Sequence, residues 1–335
     1  MTHFTRRAVV AGALAMPTVW TRPAGAADFI YKIGMNAPAT HPLALHATNA
    51  SARIREATGG RVELQIFPSS QLGSDTDMLS QMRSGALEMM FTSGLILSTL
   101  VPLASINGIG FAFQDYDRVW PAMDGKLGAV IRADIARRGI VAMERIWDNG
   151  FRNVTNSVKP IVTPADLAGL RLRVPVSPLW TSMFQALGAS PVSINLNEVY
   201  SALQTHVVDG QENPMALIYA TKFYEVQKYL SLTRHMWDGY WPLANRKALD
   251  RLKPEDLEIV RREFDRSALE QRADVARLNA DLGATLEKAG MTLNQVDPAP
   301  FRDKLIAAGF YKDWRAKYGD EAWSVLAETS GGGLP

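Results

Sequence analysis

The sequence of 335 residues contains no cysteine. Disulfide bonds, thiolate metal sites and cysteine nucleophiles are therefore excluded, and stability must come from a hydrophobic core. After the first 26 residues, charged side chains interrupt every apolar stretch before it reaches the length needed to span a bilayer. The roughly 300 remaining residues can bury about three quarters of their unfolded surface, and they are expected to divide into two domains.

Motifs that bind cofactors or perform catalysis are also missing. Gly108 and Gly110 lack the third glycine of a dinucleotide-binding loop, and Val192 stands where a nucleophile elbow needs glycine. His41 and His46 are five residues apart and therefore lie off a common helical face. We expect no catalytic residue, no cofactor and no metal. Surface or helix-cap positions are predicted for the four histidines after residue 26: His41, His46, His206 and His235.

The first 26 residues have the layout of a secretory signal peptide. Arg6 and Arg7 precede an apolar run over residues 8–15, and Ala24 and Ala26 are the small residues that a signal peptidase accepts. Cleavage is predicted after Ala26, and the mature protein is predicted to function in the periplasm. The paired arginines are also typical of the twin-arginine route, and the sequence leaves both export routes open.

Without this segment the chain is nearly neutral. It loses three arginines and no acids, so 33 basic residues remain against 34 acidic ones and the formal charge is −1. A protein with this balance has no basic surface for nucleic acid or an anionic membrane. We expect neither as a partner.

Strand-like and helix-like stretches alternate along the chain, which predicts an α/β fold with largely parallel strands. The first unit comprises strands at 31–35, 61–67 and 87–91 with helices at 42–58 and 75–84. The second comprises strands at 170–174 and 191–194 with helices at 178–187 and from 197 to about 206.

Residues 254–288 predict one long helix. Apolar residues follow a spacing of three or four with no proline after Pro254, and only Gln271 breaks the stripe. Such a helix would be ~50 Å long, which exceeds the width of one small lobe, so it is expected to lie across both. The alternative is two helices with a break near Gly283.

The segment 170–175 carries the sharpest candidate for ligand binding. On a strand, Leu172 and Val174 face one side while Arg171 and Arg173 face the other, and Pro175 ends the strand. Arg173 would then lie at the carboxyl end, where open α/β sheets bind ligands and a guanidinium can grip a carboxylate through two hydrogen bonds. A surface arginine beside an acidic neighbour explains the pattern equally well.

Two polar segments are predicted to line the same cleft as loops. Residues 147–156 are punctuated by glycine between the two units, and residues 208–214 combine amides and acids after a helix. Asp209 and Glu212 could equally be turn formers.

Short motifs extend over nearly the whole chain after residue 26. They are Asn149-Gly150-Phe151-Arg152, Leu172-Arg173-Val174-Pro175, Asp209-Gly210-Gln211-Glu212-Asn213-Pro214, Lys222-Phe223-Tyr224-Glu225 and Pro68-Ser69-Ser70-Gln71-Leu72-Gly73. In this combination the sequence resembles the substrate-binding proteins of tripartite ATP-independent periplasmic (TRAP) transporters, the dicarboxylate-receptor family.

The resemblance implies an α/β, two-lobed periplasmic binding protein fold with a hinge, crossing strands and a long helix spanning both lobes. We place lobe I at 27–150 plus about 239–278, and lobe II at 151–238 plus about 279–332. The partners implied are the small and large membrane subunits of the transporter, driven by an ion gradient, and a monomeric receptor is expected.

The same resemblance assigns the site. Arg173 would form the paired salt bridge with the carboxylate of the ligand, Asn213 would hydrogen-bond the same group, and Arg152 would assist or hold a second polar group. Asn36 and Asp75 match positions that face the ligand from the first lobe in some members of the family.

Three further positions are compared with the family. Binders of sialic acid carry an arginine and a glutamate where Thr76 and Ser93 align, which disfavours that ligand. His206 occupies a turn position that is usually glycine. Among the tryptophans, Trp237 is predicted to face the ligand.

The ligand classes that remain are a dicarboxylate, or a 2-oxo or 2-hydroxy monocarboxylate. An aromatic acid is an alternative. Two other functions stay open, namely a periplasmic enzyme acting on such acids, with Asp75, Asp148 and Glu212 as candidate bases, and a receptor that reports to a membrane kinase.

Overall fold

A computed structural model describes residues 27–331 and 333–334. The predicted signal peptide lies outside the described residues, so it stays a prediction. Within the described chain, ten strands form one mixed sheet covered by helices. No helix in this part of the protein combines the length and the apolar character that crossing a bilayer requires.

The first unit has the predicted β-α-β-α-β order. Its elements are β1 (Phe29–Gly34), α1 (Pro42–Ala57), β2 (Val62–Phe67), α2 (Asp75–Ser84) and β3 (Met89–Ser93). Strand β1 pairs in parallel with β2 and β3. The imidazole of His41 accepts a hydrogen bond from the Leu43 N–H at 3.1 Å and caps α1, while Ser74 and Asp77 form a capping box on α2.

A helical segment follows and leads to the first crossing strand. It contains α3 (Gly94–Leu97), a 3₁₀ helix (Pro102–Gly108), α4 (Tyr116–Asp124), α5 (Lys126–Ala136), β4 (Ile140–Ala142) and β5 (Trp147–Asn156). All ten residues of β5 are buried. The prediction of a loop over 147–156 is therefore wrong, because neighbouring strands on both sides satisfy the polar backbone of this segment.

The second unit also contains parallel strands connected by helices. Its elements are a 3₁₀ helix (Pro164–Leu167), β6 (Arg171–Val174), α6 (Pro178–Ala186), β7 (Ser190–Ser193), α7 (Leu196–Gln204), β8 (Gly210–Pro214), α8 (Met215–Ala220) and a 3₁₀ helix (Phe223–Glu225). Strand β6 pairs in parallel with β7 and β8. The polar run 210–214 is a buried strand rather than the predicted turn, since β5 and β6 flank it.

The chain then crosses the molecule twice more. The remaining elements are β9 (Tyr229–Asn245), α9 (Arg246–Leu249), α10 (Pro254–Lys288), β10 (Thr292–Gln295), α11 (Ala299–Ala307), α12 (Phe310–Tyr318) and α13 (Asp320–Ser330). The sheet order is β2-β1-β3-β9-β5-β8-β6-β7, with β4 and β10 also paired to β9.

Strands β5 and β9 join the two halves of the sheet. The first half of β9 pairs with β10 and with the end of β5, while its second half pairs antiparallel with β3 and β4. The prediction of parallel pairing thus holds inside each unit but not for the crossing strands. The proposed lobe boundaries, which divide these strands, remain a prediction.

An extra residue in β5 changes which side chains share a face. Asp148 pairs with Gly239 and Gly150 with Asp238, so Asn149 is a bulge. Gly150 has φ +120°, a backbone conformation that L side chains rarely adopt, and glycine permits it. The bulge lies where the chain passes from one half of the sheet to the other.

Helix α10 confirms the single long helix and continues through Gly283 without a break. Val260 and Phe264 pack in a core cluster with β1, α1 and β2, whereas Leu286 packs in a separate cluster with α7 and α8. The helix also contacts β5 between these two ends. It therefore spans both halves of the sheet.

Candidate functional site

A small cavity lies where the two halves of the sheet meet the crossing strands. Its volume is about 20 Å³, far below the roughly 300–1,000 Å³ typical of small-molecule sites, so its walls lie close together in this structure. Its lining residues come from both halves and from β5 and β9: Asn36, Asp75, Ser93, Ile96, Asn149, Arg152, Arg173, Pro175, Leu196, Asn213, Asp238 and Tyr240.

The topology explains why these side chains converge. Asn36 follows the end of β1, and Ser93 is the last residue of β3. Arg173 and Asn213 lie near the carboxyl ends of β6 and β8. Carboxyl ends of parallel strands meet at one edge of an open sheet, which is where α/β proteins bind ligands.

Arg173 is a buried charge that forms no salt bridge with the described residues. The residue is only 2% exposed, its Nε–H donates to the carbonyl oxygen of Ile194 at 2.8 Å, and Nη1 has no hydrogen-bond partner within the described chain. Burial lowers its pKa to about 10, against the opposing attraction of Glu212. A guanidinium in this state is stabilised by an anion that enters the cavity.

Arg152, by contrast, is already paired. Its Nε–H and Nη2–H donate to the two carboxylate oxygens of Glu212 at 2.6 and 2.7 Å, and Nη1–H donates to Asp238 at 3.2 Å. The guanidinium also stacks on the Trp180 ring, 4.6 Å from its centroid. Burial pushes the pKa of Glu212 upward, but Arg152 brings it below its ordinary value. The positive charge of Arg152 is thus already balanced by carboxylates of the protein.

Asp75 and Asn36 form a hydrogen-bonded pair on the opposite wall. Asn36 Nδ2–H donates to Asp75 Oδ2 at 3.0 Å. Asp75 is the first residue of α2, and its carboxyl is buried. Burial raises its pKa, while the hydrogen bond from Asn36 and the charge of Arg173 act in the opposite direction.

A second carboxyl group, not predicted from the sequence, lies in the cavity. Asp238 accepts hydrogen bonds from Ser93 Oγ at 2.6 Å and from Asn149 Nδ2 at 2.8 Å, in addition to the one from Arg152. Burial raises its pKa, and the charge of Arg152 opposes the rise. The sequence contains one signal for this position: alternation along a strand over residues 236–241 places Asp238 and Tyr240 on the same face.

The structure does not bring Trp237 to the cavity. Its indole Nε1–H donates to Asp148 Oδ1 at 2.9 Å, and its ring packs edge-on against Trp120 at 5.4 Å. As a neighbour of Asp238 on β9 it points to the other face of the sheet. The other five predicted ligand contacts all line the cavity: Asn36, Asp75, Arg152, Arg173 and Asn213.

The other candidate groups occupy structural positions. His235 is buried, and its ring lies 3.0 Å from Glu212 Oε2, so the prediction of a surface or cap position is wrong for this histidine. Glu212 forms a salt bridge with Arg152, and Asp148 accepts the hydrogen bond of Trp237. His206 has φ +56°, as expected for a turn position that is usually glycine.

Comparison with known proteins agrees with this architecture. The family model described as bacterial extracellular solute-binding protein, family 7, matches residues 33–312. An uncharacterized protein of Sinorhizobium fredii is 35% identical over 305 residues, which are 89% of this chain and 56% of that protein. The 2,3-diketo-L-gulonate-binding periplasmic protein of Escherichia coli is 33% identical over 253 residues, covering 75% of this chain and 77% of that one.

A solved structure shows the same fold. The TRAP periplasmic solute binding protein from a Polaromonas species, bound to D-erythronate, is 30% identical and superposes with a TM-score of 0.86. The match covers 92% of this chain and all of that one. The chain therefore belongs to family 7 of the bacterial extracellular solute-binding proteins.

Proposed function

We propose that this protein is a periplasmic receptor that binds a small organic acid in the cavity between the lobes and delivers it to the membrane subunits of a TRAP transporter. The observation that carries the proposal is Arg173, a buried guanidinium near the end of β6 that forms no salt bridge with the described residues and whose Nη1 has no hydrogen-bond partner among them. A carboxylate supplies the missing anion and accepts its hydrogen bonds.

The residues around the cavity also account for closure on the ligand. Asn36 and Asp75 belong to the first half of the sheet, and Arg173 and Asn213 belong to the second. A ligand that contacts both sides stabilises the closed arrangement only through contacts absent when the halves separate. The crossing strands β5 and β9 provide the hinge.

Relatives with known ligands support the class of solute. The Escherichia coli relative binds 2,3-diketo-L-gulonate by its name, and the Polaromonas protein was solved with D-erythronate. Both are small carboxylates. A cavity this narrow favours a short acid over an aromatic one.

A pair of variants on one strand tests the proposal. Arg173→Met removes the charge but keeps an apolar side chain of similar length. Arg171→Met is the control, because Arg171 lies on the same strand but is exposed and pairs with Asp209. Loss of one partner from a buried charge pair costs about 2–5 kcal/mol, or about 30- to 5,000-fold in Kd. We expect this loss for Arg173→Met and unchanged affinity for Arg171→Met.

The measurement is isothermal titration calorimetry with the acid that most raises the melting temperature in a panel of organic acids. Equal affinity of wild type and Arg173→Met would contradict the proposal. Receptor and enzyme are separated by recovering the acid after prolonged incubation. A receptor returns it unchanged, and turnover would favour an enzyme.

A further inference from the structure

Several polar atoms around the cavity lack a hydrogen-bond partner, and most of them are acceptors. Five buried atoms of its lining residues have no hydrogen-bond partner within the described chain: Arg173 Nη1, Asp75 Oδ1, Asn36 Oδ1, Asn149 Oδ1 and Tyr240 Oη. The first carries cationic donors, the next three are acceptors, and the hydroxyl can be either. The walls therefore present one cation and an excess of acceptors.

Two of these acceptors are fixed by their neighbours. Each amide NH₂ group donates to a carboxylate, Asn36 to Asp75 and Asn149 to Asp238. A carboxylate only accepts hydrogen bonds, so exchanging the amide nitrogen and oxygen would place two acceptors against each other. The amide oxygens must be the free atoms.

Asp75 presents its second carboxyl oxygen to the cavity. Burial raises the pKa of this carboxyl, while the Asn36 hydrogen bond and the nearby charge of Arg173 act against the rise. Its Oδ2 faces Asn36, which leaves Oδ1 for a donor from the ligand.

The charges of the cavity allow for one carboxylate. Arg152 is balanced by Glu212 and Asp238, which leaves Arg173 as the cation for an incoming anion. A second carboxylate on the ligand would lie beside Asp75 and Asp238, and carboxylates at close range repel each other. It would also offer acceptors to walls that already have an excess of them.

We propose that the cavity selects a short monocarboxylate bearing several hydroxyl groups over a dicarboxylate, with Asp75, Asn36 and Asn149 accepting hydrogen bonds from the hydroxyls. This inference rests on the proposed function, since Arg173 must hold the single carboxylate. Asp75 and Asp238 then determine specificity, because they accept hydrogen bonds from hydroxyl groups and repel a second negative charge on the ligand.

The test compares three acids of four carbons by calorimetry: D-erythronate, which carries hydroxyls and one carboxylate, succinate, which carries two carboxylates, and butyrate, which carries one and no hydroxyl. Each hydrogen bond to a charged group contributes enough for about a tenfold difference in affinity. We expect wild type to bind D-erythronate about 10- to 100-fold more tightly than succinate or butyrate.

Asp75→Asn tests the acceptor itself. The variant keeps the shape but removes the charge and adds a donor, so D-erythronate should bind about tenfold more weakly and its preference over succinate should shrink by a similar factor. Glu198→Gln on α7 is the matched control, because Glu198 is exposed and outside the cavity lining. It should leave both affinities unchanged. Thermal melting checks that each variant is folded.

The outcomes separate this inference from the proposed function. Succinate binding at least as tightly as D-erythronate, with both lost in Arg173→Met, would overturn the selection of hydroxyls while the receptor role stands. An unchanged preference in Asp75→Asn would overturn the role of Asp75. Binding that survives in Arg173→Met would overturn the proposed function as well.

Discussion

Gln271 interrupts the apolar stripe of α10, and its contacts lead to a quantitative prediction. Its side-chain Oε1 accepts a hydrogen bond from the Asp148 backbone N–H at 2.8 Å, and its Nε2–H donates to the Asp148 carbonyl oxygen at 2.7 Å. All of these groups are buried. They lie beside the bulge at Asn149, so one amide side chain connects the long helix to a crossing strand at the hinge.

Gln271→Leu removes both hydrogen bonds and leaves a buried N–H and a buried C=O without partners. Each unpaired group costs about 1–3 kcal/mol. The apolar contacts of leucine offset roughly 1–2 kcal/mol of this cost. We therefore expect the free energy of unfolding to fall by about 3 kcal/mol.

Urea unfolding followed by tryptophan fluorescence measures this change, since the chain contains eight tryptophans. Glu258→Leu, on the exposed face of the same helix, is the control and should change stability by less than about 0.5 kcal/mol. If Gln271→Leu matched the control, the two hydrogen bonds would contribute nothing to stability and the reasoning would be refuted.

Two further changes follow from backbone and charge. His206→Gly should raise the free energy of unfolding by about 1 kcal/mol, because φ is +56° there, whereas Thr205→Gly, at φ −89°, should lower it; equal effects in urea unfolding would contradict this. Burial raises the pKa of Asp148 to about 7, so the folded state keeps a proton that the unfolded chain releases near its ordinary pKa of 3.8. Wild type should lose stability relative to Asp148→Asn as pH rises from about 4 to 7, by up to about 4 kcal/mol, and a constant difference across this range would contradict the assignment.

Features with a short sequence range were predictable. The spacing of apolar residues in 254–288 predicts α10 because a helix repeats every 3.6 residues whatever its surroundings. Arg173 could be placed at the end of its strand by alternation and by the proline that follows. Asn36, Asp75, Arg152 and Asn213 came from the resemblance to a family rather than from local pattern, and all four line the cavity.

Features that depend on pairing between distant strands were not predictable in the same way. Residues 147–156 are polar enough to resemble a loop, yet they are wholly buried because β8 and β9 satisfy their backbone. Asn149 and Arg152 are three residues apart, a spacing that alternation would put on opposite faces. The bulge at Asn149 brings both to the same cavity.

The sequence by itself determined the α/β class, the long helix and the position of Arg173 near the end of its strand, because these depend on residues near each other in the chain. The tertiary structure alone decided which charges remain free. Arg152 and Arg173 look alike in sequence, but Glu212 and Asp238 neutralise the first and leave the second unpaired. Compensation of a buried charge depends on neighbours brought together by folding, 60 and 86 residues away along the chain.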